Sequence, residues 1–118
     1  KKFNKDISLT FIPHLLPIFS GIQSNIYIDK ENTDVNLVFD FLKSYFANER
    51  FVKVQKDKIV KLSDVQDTNN IIINVFQDFE KKIIIITSSL DNLIKGAAGQ
   101  AIQNMNLMFG FEESESLI

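Results

Sequence analysis

Two Ile-rich runs constrain this chain more than any other feature. Ile71-Ile72-Ile73-Asn74-Val75-Phe76 and Lys82-Ile83-Ile84-Ile85-Ile86-Thr87 are separated only by Gln77-Asp78-Phe79-Glu80-Lys81. Each run is short, β-branched and without a helical polar stripe, so each reads as a strand. The short polar connection makes them an antiparallel hairpin. A strand that is apolar at consecutive positions needs cover on both faces. One helix covers one face. The second face is expected to need a partner subunit or further chain.

The remaining elements follow from periodicity. Ile7, Leu9 and Phe11 alternate and predict a strand over Ile7 to Phe11. Pro13 and Pro17 bracket a stiff loop. Gly21 to Ile28 predicts a second strand, with Ile22, Ile26 and Ile28 on one face. Thr33 is expected to cap a helix over Asp34 to Phe46, with Val35, Val38, Leu42, Tyr45 and Phe46 as its buried stripe. Phe51 to Val54 reads as extended. Gln55 to Asn70 reads as loop, anchored by Ile59, Val60, Leu62 and Val65. A last helix spans about 94–109, starting near Asn92 to Gly96, with Asp91-Asn92 at its cap and Gly110 closing it. The acidic tail from Phe111 is expected to fray. This order predicts an α+β fold: a mostly antiparallel sheet with helices packed on it, in a single domain over 1–118.

Composition excludes several classes of function. The net charge of −2 offers no basic field for nucleic acid. No apolar stretch approaches the ~20 residues of a membrane span, and Lys1 to Asp6 lacks the apolar core of a secretion signal. The chain contains no Cys, which removes disulfides, thiolate metal sites and thiol nucleophiles. No Gly-rich phosphate loop follows a strand. A metal site on the single histidine, His14, lacks further ligands. The eleven Phe exceed the usual need of a small core, and some are expected to face a partner.

The last helix has an unusual surface. Gly96-Ala97-Ala98-Gly99 is followed by amides at Gln100, Gln103, Asn104 and Asn106. Small residues admit another backbone closely. Uncharged amides bond without the cost of burying a charge. Gln100 and Asn104 stand four apart and share one face.

That segment, Asp91 to Gly110, resembles the last helix of N-acetyl-gamma-glutamyl-phosphate reductase. Leu9-Thr10-Phe11-Ile12-Pro13-His14-Leu15-Leu16-Pro17 and Gly21-Ile22-Gln23-Ser24-Asn25-Ile26-Tyr27 resemble a second block of the same family. Phe51-Val52-Lys53-Val54, with Asp64-Val65 and Asn69, falls in order between them. The resemblance spans nearly the whole chain and covers the C-terminal region of that enzyme, whose fold is like the C-terminal domain of semialdehyde dehydrogenases and glyceraldehyde-3-phosphate dehydrogenase.

The resemblance implies a fragment of an NADP-dependent enzyme of arginine biosynthesis, which reduces N-acetylglutamyl phosphate to N-acetylglutamate semialdehyde. It implies NADP bound mainly by an absent nucleotide-binding domain, a homo-oligomer, no metal, and a cytoplasmic or organelle-matrix setting. The family's Cys nucleophile and its base lie upstream, so this chain carries no catalytic residue and is expected to be inactive alone. His14 is the substrate-side candidate; the alternative is a structural histidine satisfying a loop carbonyl. Gln100 and Asn104 are the cofactor-side candidates, since an amide there could bond the nicotinamide carboxamide; the alternative is interdomain packing. Lys95 is expected to be a surface charge, and Asn69 a turn residue bonding its own backbone. Two positions depart from the family pattern. Ser20 stands where the family has Arg, removing a charge suited to phosphate. Asp67-Thr68-Asn69 replaces Gly-Ser-Asn. The other function class is a non-catalytic interaction or oligomerisation module on the same scaffold.

Overall fold

A computed structural model of the chain describes residues 9–30, 33–80 and 82–117. The order of elements is β1 (Ile22–Asp29), α1 (Val35–Tyr45), β2 (Val52–Lys56), a short 3-10 turn (Leu62–Asp64), β3 (Ile71–Gln77), β4 (Ile83–Leu90), a π-helical segment (Ile94–Ala98) and α2 (Gly99–Phe109). The four strands form one sheet in the order β1-β4-β3-β2.

The two Ile-rich runs pair as the expected hairpin, β3 antiparallel to β4. Asp78 closes it twice: its N–H donates to the Ile83 carbonyl, and its carboxylate accepts from the Ile83 N–H at 2.8 Å. β1 lies antiparallel on the far side of β4. β2 pairs parallel to β3, so the sheet is mixed rather than purely antiparallel. The reason is the connection. Asp57 to Asn70 is too long for a tight turn and carries the chain back to re-enter the sheet in the same direction. Left-handed backbone at Asp57 (φ 52°) and Asp67 (φ 60°) supplies two of its bends.

The sheet has two distinct faces because side chains alternate. Ile26 of β1, Ile86 of β4 and Val75 of β3 are register partners on one face. α1 packs there. Val35, Val75 and Ile84 form the buried cluster, with Val38, Phe39, Leu42 and Ile86 against it. The expected stripe therefore holds at Val35, Val38 and Leu42 and fails at Tyr45, which is 69% exposed. The helix ends at Tyr45, and that ring stacks on exposed Phe41 at 5.9 Å instead of entering the core. The cap is Asp34, not Thr33: its carboxylate accepts from the Asn36 N–H at 2.7 Å.

On the opposite face the β2–β3 connection lies against the sheet. The Asn74 side-chain amide donates to the Lys58 carbonyl, and Val65 is fully buried. Val65 is thus an anchor as expected. Ile59 is not; it is 87% exposed. Of the strand expected over Ile7 to Phe11, Ile7 and Ser8 lie outside the described residues, and Leu9 to Phe11 pair with no described strand. The leading residues read against a secretion signal lie outside them too.

The tail does not fray. The Asn106 amide donates to the Glu113 and Glu115 carbonyls at 3.1 and 2.9 Å, and Arg50 pairs with Glu112 at 2.8 Å. Gly110 closes α2 in the left-handed conformation (φ 74°), as its position after the last apolar turn suggests.

Candidate functional site

The two most distinctive sequence blocks meet in space. Asp91 ends β4 and turns into the last helix, and Ser20-Gly21 opens β1 beside it. The Asp91 carboxylate accepts from the Ser20 hydroxyl (3.1 Å), the Asp67 N–H (2.9 Å), the Leu93 N–H (2.8 Å) and the Ile94 N–H (3.2 Å). The Asn92 side chain accepts from the Gly21 N–H at 2.6 Å. Gln66 donates to the Ser20 carbonyl at 2.8 Å. Gly21 has φ +119°, which a β-carbon would strain, and the Leu62 side chain fills the space beside it. Both Ser20 and Asp91 are buried.

Burial alone would raise the Asp91 pKa. The hydrogen bonds from Asp67, Leu93, Ser20 and Ile94 outweigh that and hold it below the ordinary value. An ionised carboxylate with four donors is a structural clasp. It caps the last helix, as its position suggests, and it has no free lone pair to act as a base.

The last helix begins as a π-helix. The Gly96 N–H reaches back to the Asp91 carbonyl and the Ala98 N–H to the Leu93 carbonyl. Gly99 marks its junction with α2. A β-carbon there would stand 2.4 Å from the Asn69 Oδ1 and 2.7 Å from the Ile94 side chain. So the small-residue run does admit a close approach, but at Gly99 only; Gly96, Ala97 and Ala98 are exposed.

A second network holds this helix. The Asn69 amide and the Lys95 ammonium both donate to Gln103 Oε1, at 3.0 and 2.5 Å, and the Gln103 amide donates to Glu113 at 2.7 Å. Asn69 is therefore a buried tie between loop and helix, not a residue bonding its own turn. Lys95 is half-buried, with its ammonium 5.6 Å from the Phe51 ring centre, rather than a free surface charge. Burial pushes its pKa down, against the pull of Glu113 and Glu49. Sequence reasoning passed over Gln103 and Asn106 as anchors. The signal was their spacing: three residues apart, they share the side of α2 that faces the tail.

Of the candidates from sequence, Gln100 and Asn104 lie on the exposed side of α2, and their side chains bond no other described residue. His14 is exposed in the Pro-bracketed segment and makes no hydrogen bond to either amide. Among the described residues no group of His, Asp and Glu could hold a metal ion. No described helix is long and apolar enough to cross a membrane. Among the described residues the segment from Leu9 to Phe19 is exposed along its whole length, and two further apolar surfaces stay open. One joins α1 to β1: Leu37, Phe41, Ile22 and Ile26 are 66%, 65%, 45% and 48% exposed. The other is the outer side of α2, with Met108 and Phe109 at 80% and 70%.

Comparison with known proteins gives this arrangement a family. A family model described as "Semialdehyde dehydrogenase, dimerisation domain" matches residues 1–92. N-acetyl-gamma-glutamyl-phosphate reductase of Clostridium botulinum (strain Eklund 17B / Type B) is 47% identical over 97% of the chain. The proteins of the same name from Caldicellulosiruptor bescii and Brachyspira hyodysenteriae are each 41% identical over 98% of it. The chain spans only 34% of the length of each of these relatives. Aspartate semialdehyde dehydrogenase II of Vibrio cholerae shares the fold, with a TM-score of 0.59 at 21% identity, over 80% of this chain and 29% of that one. The α+β fold expected from the order of elements is thus that of a semialdehyde dehydrogenase, and the chain belongs to the semialdehyde dehydrogenase dimerisation-domain family.

Proposed function

We propose that this chain is the C-terminal, subunit-contact region of an N-acetyl-gamma-glutamyl-phosphate reductase of arginine biosynthesis. In the complete enzyme a domain outside this chain binds NADP and supplies the Cys nucleophile. That enzyme reduces N-acetylglutamyl phosphate to the semialdehyde and releases phosphate. The observation that carries the reading is the clasp at Asp91. It ties the loop after Pro17 to the start of the last helix, the two blocks by which the sequence resembles the reductase. The family's dimerisation domain assigns this region the role of joining subunits. The open side of α2, with Gln100 and Asn104, is the surface for the nucleotide domain, and His14 lies on the segment that would reach the substrate.

A chimera tests this. The chain replaces the matching third of the Clostridium botulinum relative, and phosphate-dependent reduction of NADP by N-acetylglutamate semialdehyde is measured. The chimera should turn over and the isolated chain should not. A folded but inactive chimera would favour the second reading, a non-catalytic oligomerisation module. One observation supports that alternative: Ser20 is buried against Asp91 and presents no group to a substrate.

A further inference from the structure

The carboxylate of Asp91 divides its bonds between its two oxygens. Oδ1 accepts from the Leu93 and Ile94 N–H groups, at the root of the last helix. Oδ2 accepts from the Ser20 hydroxyl and the Asp67 N–H, on the loop side. A carboxylate is planar and rigid, so donors on its two oxygens are held at one angle to each other. We propose that Asp91, acting through Ser20, is a positioning residue: it sets residues 9–19, which carry His14, at a fixed angle to the helix that carries Gln100 and Asn104. What those two surfaces meet rests on the reductase reading above; the joint itself rests on the bonds.

Residues 9–19 have no other polar hold on the fold. All of them are exposed. Among the described residues no hydrogen bond ties them to another element, and the bond from the Ile18 N–H to the Leu16 carbonyl at 2.9 Å is internal. The fastening is at Ser20-Gly21. Gly21 stands at φ +119°, and a glycine backbone swivels freely. The backbone alone therefore does not fix the angle at which the segment leaves β1. Side chains fix it: Asp91 on the Ser20 hydroxyl, Gln66 on the Ser20 carbonyl and Asn92 on the Gly21 N–H. Asp91 and Ser20 are 1% and 3% exposed, so water does not stand in for either partner. Beyond the joint, Pro13 and Pro17 each lock their own φ, and an angle set at Ser20 is carried to His14.

Two variants separate the loop side of the joint from the helix side. Ser20→Ala removes the loop donor and leaves Asp91 in place. Asp91→Asn keeps one acceptor oxygen for the helix N–H groups and turns an NH2 toward the Asp67 N–H, which cannot accept from it. Ser20→Thr keeps the hydroxyl and serves as the rescue.

The chain has no Cys, so labels go only where thiols are introduced. Nitroxides at Leu15→Cys and Ala101→Cys, both exposed positions, report one distance by pulsed electron resonance. Unlabelled chain in excess confines the reading to pairs within one molecule. The distribution should be a single narrow peak. It should broaden roughly twofold or more in Ser20→Ala and in Asp91→Asn, and narrow again in Ser20→Thr, with circular dichroism unchanged. If Asp91→Asn unfolds, the two Ser20 variants decide. A broad distribution without these substitutions would overturn the proposal, as would a width that Ser20→Ala leaves unchanged or Ser20→Thr fails to restore. In the active chimera, Ser20→Ala should raise the KM for N-acetylglutamate semialdehyde roughly tenfold and leave that for NADP within about twofold, since the helix stays capped. A purely stabilising bond would move neither constant in the folded enzyme, and that result would also overturn it. An inactive chimera beside a narrow distance distribution would defeat the reductase reading and leave the joint standing.

Discussion

Asp91 shows how one side chain can fix two segments far apart in sequence. Replacing it with Ala strands a buried hydroxyl and three backbone N–H groups, and each lost bond to a charged group is worth about 1.5–3 kcal/mol. Asp91→Ala should lower the urea unfolding free energy by at least ~3 kcal/mol. The same bonds set a pH dependence. The folded pKa lies below the ordinary 3.8 of the unfolded chain, so the unfolded state takes up protons first. The stabilisation is fully present above the unfolded value and is lost as pH falls through the folded one. Urea midpoints measured from about pH 6 down to pH 3 should fall more steeply for the wild type than for Asp91→Asn. The two helix glycines give a contrast. Gly99→Ala drives a methyl onto Asn69 and should cost about 1–3 kcal/mol. Gly96→Ala meets nothing closer than 3.4 Å and should gain up to ~1 kcal/mol from helix propensity, read by the same denaturation. The clasp could not be read from sequence as a whole. Asp91 was legible as a cap because capping is local. Its bond to Ser20 joins residues 71 apart, and no local pattern encodes that.

At the scale of elements, α2 is fastened on one side and bare on the other. Asn106→Ala should free the tail, and hydrogen exchange over 111–117 should rise to that of an exposed segment while β3 and β4 stay protected. Asn104→Ala, made in the active chimera, should raise the KM for NADP or lower turnover by roughly tenfold, with the fold intact. Unchanged kinetics would make Asn104 a solvated amide. Elements with strong periodicity were legible: the β3–β4 hairpin, the core side of α1 and the Gly110 stop all stand where the residue pattern places them. The misses share a cause. Leu9 to Phe11 alternate like a strand, but a strand needs a neighbour, and none of the described strands offers one. Tyr45 sits at helical spacing, yet the helix ends there and its ring turns outward. Ile59 is apolar and exposed because the β2–β3 connection needs only Val65 to hold it down.

For the whole molecule, the sheet order has a kinetic consequence. Among the described strands β1 comes first and pairs only with β4, which comes last. During synthesis β2 and β3 can pair as soon as they emerge, and β4 closes on β3 through a short turn. β1 must wait for all of them, and its contacts carry the largest sequence separation in the sheet. Such non-local pairing is slow because the long loop must close before any contact rewards it. β1 and the clasp at Asp91 should therefore form late, with mutations there changing the unfolding rate and leaving the folding rate nearly untouched. In the interval the nascent chain carries an unpaired apolar strand next to the growing edge of β4. Chaperone demand and misassembly during synthesis should concentrate at that step.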